Sequence, residues 1–95
     1  MNRPFDIIGD FEGGYAFCIE MLPGDAEQAQ EIVRMTFPKA FAGYYERKAC
    51  LCVKTDEAQE AFMLRKMLRN FVQAKKMSNP VYTEDLMRVR KEYED

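Results

Sequence analysis

Residues 15–21 alternate without a break: Tyr15, Phe17, Ile19 and Met21 fall on one side of an extended chain, and Ala16, Cys18 and Glu20 on the other. A period of two with large apolar side chains on one row predicts a central strand with one face in the core. A similar alternation precedes it, Phe5, Ile7 and Phe11 against Asp6, Asp10 and Glu12, and the intervening Gly13-Gly14 predicts a hairpin. A three-residue loop, Glu12-Gly13-Gly14, pairs Phe11 with Tyr15, Gly9 with Phe17, Ile7 with Ile19 and Phe5 with Met21. That register unites the apolar rows, whereas a two-residue loop would throw them onto opposite faces.

Leu22-Pro23-Gly24 stops the strand, and Asp25 with Gln28 reads as a helix cap. Ala26, Ala29, Ile32 and Val33 then form a stripe opposite Glu27, Glu31 and Arg34, which predicts an amphipathic helix to about Thr36, ended by Phe37-Pro38. Residues 41–46 and 49–54 predict two strands around a turn at Arg47-Lys48, the second alternating Ala49, Leu51 and Val53 with Cys50, Cys52 and Lys54. Thr55-Asp56-Glu57 predicts the capped start of a long helix. Its core half comprises Ala61, Met63, Leu64, Met67, Leu68, Phe71, Val72 and Ala74; Arg65, Lys66, Arg69 and Lys76 occupy the other half, with Phe62 among them. Ser78-Asn79-Pro80 restarts the chain, with asparagine as cap and proline at the first helical position. Tyr82, Leu86, Val89 and Tyr93, at spacings of four, three and four, predict a short amphipathic helix.

This order predicts an α+β domain of the ferredoxin-like type, βαββα with an extra N-terminal hairpin strand. A right-handed crossover sets the Tyr15 and Phe41 strands parallel with the Ala49 strand between them. The result is a four-stranded antiparallel sheet with the N-terminal arm on its edge, two helices on one face and a short C-terminal helix. A length of 95 residues gives one domain, residues 1–79 as core and 80–95 as the C-terminal amphipathic helix.

Residues 49–68, ACLCVKTDEAQEAFMLRKML, resemble the strand-to-helix passage of RNA-recognition-motif domains, which share this topology. The resemblance is one of pattern. It implies an open sheet face on which bases stack against aromatics of the two central strands. The corresponding outward positions here are Cys18, Cys50 and Cys52. A nucleic-acid-binding reading would use Arg65, Lys66, Arg69, Lys75 and Lys76, with Tyr44 and Tyr45 as stacking groups.

Charge and chemistry narrow the function classes. The net charge is -2 and the pI near 5.2, which disfavours nucleic acid as a partner held by bulk charge. The charge is polarised: residues 1–31 carry Asp6, Asp10, Glu12, Glu20, Asp25, Glu27 and Glu31 against Arg3 alone, and residues 61–80 carry five bases and no acid. Histidine is absent, which removes the commonest general base and metal ligand. Gly13-Gly14 leads into a strand, so it is no phosphate loop. No catalytic residue, metal or cofactor is expected, and an enzyme working with acids and tyrosines alone is the least favoured class. Three cysteines give no disulfide framework and suit a reducing compartment, as small buried hydrophobes. No run is apolar enough to span a bilayer, and MNRPFD lacks a signal-peptide core, so a cytoplasmic protein without membrane contact is expected.

The reading these exclusions favour is a small non-enzymatic, protein-binding domain, an adaptor, regulator or inhibitor of a macromolecular partner. The composition permits a phage-type inhibitor of a host complex. Partner-binding candidates are Phe62, Arg65, Lys66, Arg69, Lys75 and Lys76 on the long helix, and Tyr82, Leu86, Val89 and Tyr93 on the last. The bland account of the bases is a solvated helix face. The last helix is expected to dock in cis, over the sheet face carrying Ile8, Ala16, Cys18, Cys50 and Cys52, or else to enter a partner's groove. A homodimer through that face or through the helix is the remaining way to cover it.

Overall fold

A computed structural model describes residues 8–9 and 14–93. Among these residues the chain is α+β, with three helices and an antiparallel sheet. Strand β2, Tyr15–Glu20, buries Phe17 and Ile19, and the row continues to Met21, which has no exposed surface. Strand β4, Cys50–Thr55, buries Leu51, Val53 and Thr55. It lies between β2 and β3, Phe41–Tyr45, antiparallel to both, so β2 and β3 run parallel with β4 between them, as expected. Among the described residues these three are the full-length strands.

The N-terminal arm departs from expectation. Among the described residues it contributes only β1, Ile8–Gly9, pairing Ile8 with Ala16 and Gly9 with Tyr15 on the outer edge of β2. Among the described residues the sheet, in the expected order β1-β2-β4-β3, thus has three full strands and a two-residue edge bridge, and the register is two residues from the expected one. A Cβ at Gly14 would lie 2.9 Å from the Thr55 carbonyl oxygen, so close packing at the start of β2 requires a glycine there. The expected pairings of Phe5, Ile7 and Phe11 lie outside the described residues.

Helix α1, Pro23–Thr36, begins three residues earlier than expected, with Leu22 as cap and proline in the first turn; Asp25 lies within that turn. Helix α2, Ala58–Ser78, starts after Glu57, because Thr55 belongs to β4 and donates its hydroxyl to Glu60 Oε1 at 2.7 Å. A helix lying on one sheet face buries a narrow stripe, here Ala61, Leu64, Leu68 and Val72. Met63, half exposed, and Ala74 fall outside it, so the core half of α2 is narrower than the sequence wheel implies. Helix α1 packs on β3 and α2 on β2 and β4. One core cluster joins Phe17, Met21, Val33, Leu51, Leu64 and Leu68.

The β3–β4 connection is a 3-10 turn, Glu46–Lys48, closed by Ala49 at φ 52°. That left-handed alanine is fully buried. Asn79 ends α2 and accepts the Val81 N–H at 3.1 Å, which delays helix α3 to Tyr82–Lys91 and leaves Pro80 in the turn. Helix α3 docks in cis, but against the 3-10 turn and α2 at the end of the sheet, not over its open face. At the far side β3 has β4 as its only strand neighbour among the described residues, and Gln30 Nε2 donates to the Ala42 carbonyl at 3.0 Å. No helix of the described residues is long and apolar enough to cross a membrane.

Candidate binding face

The outer face of the sheet is a grid set by register. Ala16, Lys54 and Phe41 form one row, Cys18, Cys52 and Gly43 the next, and Glu20, Cys50 and Tyr45 the third. Strand parity turns them away from both helices. Phe41 and Tyr45 are 63% and 59% exposed. The Phe41 ring lies over Gly43, where a Cβ would stand 3.1 Å from its Cε2 and Cζ, so the glycine gives the ring a floor.

The three cysteines are free thiols, Cys18 exposed and Cys50 and Cys52 half-buried, which corrects the expectation of buried packing groups. Burial, then a hydrogen bond and charge from Cys18, pushes the Cys52 thiol up to about 12. Cys50 is raised by burial first and by Cys18 second. Among the described residues no group of three or more cysteines and acids is placed to hold a metal ion.

Cations frame this face from three elements. Arg47 and Lys48 of the 3-10 turn, with Arg90 and Tyr93 at the end of the chain, meet Glu20 and Cys50 in an open trough of about 580 Å³. Arg90 donates to the Lys48 carbonyl at 3.2 Å and pairs with the Glu20 carboxylate. Tyr93 Oη donates to Glu46 Oε1 at 3.0 Å. Around the edge of β2, Arg69, Val72, Gln73 and Lys76 of α2 face Cys18, Ile19, Glu20 and Cys50 across a groove of about 420 Å³.

The residues singled out in the sequence are divided among different tasks. Phe62, Arg65, Lys66 and Arg69 line a shallow depression of about 440 Å³ with Asn70. Lys76 turns with Arg69 to the sheet edge. Lys75 does neither: its Nζ lies 3.6 Å from Asp25 Oδ1, 3.5 Å from Gln28 Oε1 and 5.3 Å from the Phe71 ring centroid, so it joins α2 to α1. Tyr82 and Leu86 are core, and Val89 packs against them, which removes these three from a partner surface. Tyr93 is 41% exposed at the trough. Tyr44 is no stacking group, since its hydroxyl donates to the Met21 carbonyl at 2.8 Å and burial pushes it up to about 12. Tyr45 remains outward. Phe41 is the residue the sequence reading missed, although its parity with Gly43 and Tyr45 in β3 was there to find it. Comparison with protein-family models, curated proteins and solved structures finds no match to this chain.

Proposed function

We propose that the chain is a non-enzymatic binding domain that takes a partner protein on the outer face of its sheet, as an adaptor, regulator or inhibitor. The observation that carries this reading is the exposure of Phe41 and Tyr45 on a face that strand parity turns away from α1 and α2. Large aromatics beside arginines are the composition of an interface hot spot. Arg47, Lys48, Arg69, Lys76 and Arg90 give the frame a positive sign that suits an acidic partner segment and steers its approach. The grooves are open and carry no convergent acid pair, which favours surface recognition over catalysis. The βαββα order supports a ferredoxin-like unit with a shortened edge, and free thiols suit a reducing cytoplasm.

The test is affinity capture with the whole tagged chain, comparing wild type, a Phe41→Ser, Tyr45→Ser variant and a Phe62→Ser, Lys66→Ser variant of the opposite surface. Bound protein should be lost with the first variant and kept with the second. Loss with the second alone overturns the assignment. Light scattering and anisotropy with labelled single-stranded RNA complete it. A dimer abolished by the sheet-face variant would assign the surface to a second copy, and salt-dependent RNA binding would assign it to nucleic acid.

A further inference from the structure

Cys18 and Cys52 stand directly opposite each other in the β2–β4 ladder. The Met21 N–H donates to the Ala49 carbonyl at 2.9 Å, which marks the next pair beyond Glu20 and Cys50 as hydrogen-bonded. Alternation along an antiparallel ladder makes Cys18 and Cys52 a non-hydrogen-bonded pair, where Cα atoms approach to about 4.5 Å and side chains lie closest. That spacing falls within the range of about 4.4–6.8 Å that a disulfide requires. Cys50 also has its thiol in contact with that of Cys18, but it is the diagonal neighbour, a position where backbones typically stand about 7–8 Å apart, so register favours Cys52. Beside the exposed Cys18, Arg69 and Lys76 line the same groove.

We propose that Cys18 and Cys52 form a dithiol oxidised to a cross-strand disulfide by exchange with an anionic small-molecule disulfide, held in the groove by Arg69 and Lys76. This inference is independent of the binding role proposed above. The exposed Cys18 gives its proton to water and attacks one sulfur of the small disulfide. The S–S bond of that molecule breaks, one thiolate leaves and takes up a proton, and a mixed disulfide remains on Cys18. Cys52 then attacks the Cys18 sulfur, forming the Cys18–Cys52 bond; the S–S bond of the mixed disulfide breaks, and the departing thiolate takes up the proton that Cys52 releases. Two protein thiols lose two hydrogens in all, and the small disulfide is reduced to two thiols. Cys50 stays reduced.

The experiment treats the fully reduced chain with oxidised glutathione, a disulfide rich in carboxylates, and follows intact mass and the peptide map. Wild type should lose two hydrogens, with Cys18 linked to Cys52 and Cys50 still open to alkylation. Cys52→Ser should stop at the mixed disulfide, and Cys50→Ser should behave as wild type. The double variant Arg69→Glu, Lys76→Glu should slow exchange with oxidised glutathione about tenfold and leave exchange with uncharged hydroxyethyl disulfide unchanged. A linkage through Cys50, or mixed disulfides alone in wild type, overturns the pair. Equal slowing with both reagents overturns the role of the cations. The wild-type map decides the pairing even where a variant folds poorly.

Discussion

The hydroxyl of Tyr82 donates to Asp25 Oδ2 at 2.7 Å and accepts the Leu22 N–H at 2.9 Å, joining α3 to the start of α1. One phenol thereby satisfies a backbone donor at a helix entry and a half-buried carboxylate. Tyr82→Phe keeps the ring and removes both bonds. The expected cost is about 1–3 kcal/mol, because the groups left behind are shielded from water. A lowered urea midpoint with an unchanged slope would record it.

Leu86 is 4% exposed beside Tyr82 in the core. Leu86→Ala should cost about 2–5 kcal/mol. A chain ending at Asn79 loses both residues and uncovers the end of the sheet, and the expected product is an aggregating chain. A soluble, folded monomer of that length by light scattering and circular dichroism would contradict the docking of α3.

Two glycines make a matched pair. A Cβ at Gly14 meets a backbone oxygen at 2.9 Å, whereas one at Gly24, in the first turn of α1, meets nothing within 4 Å. Gly14→Ala should destabilise by about 1–3 kcal/mol through overpacking. Gly24→Ala should stabilise by about 0.4–1 kcal/mol by restricting the unfolded chain. Thermal midpoints of the two variants should move in opposite directions.

Alkali should weaken the fold. Burial is the main cause that raises Tyr44 from 10.0 to about 12 and Cys52 from 9.0 to about 12. Tyr82 is raised by burial too. A raised acid keeps its proton in the native state after the unfolded chain has released it, so the native state binds more protons and stability falls with pH. The fall should begin near pH 9 with Cys52, steepen above 10 with the tyrosines, and continue to about pH 12. Urea midpoints across that window check it, and Tyr44→Phe should flatten the upper part.

What the sequence disclosed depended on how local the cause was. The β2 and β4 rows are legible because alternation is written residue by residue, and the crossover follows from chain order. The role of Asp25 is not: its position near a helix start suggests a cap, but its partners are Tyr82 and Lys75, brought there by the fold. Gly14 reads as a turn for the same reason, since its constraint is a carbonyl at Thr55. The proposed binding face was half legible. Strand parity exposes Phe41 and Tyr45, yet Arg47, Lys48, Arg69, Lys76 and Arg90 belong to three elements whose convergence no single stretch announces.

Strand β3 bears on the behaviour of the protein at high concentration. Among the described residues it has one strand neighbour, and an unpaired edge is a template on which another chain can add. The edge is five residues long, and the Gln30 side chain occupies its Ala42 carbonyl. That amide leaves one acceptor fewer for an added strand, and Gln30→Ala should raise the rate of association at high concentration, read by light scattering.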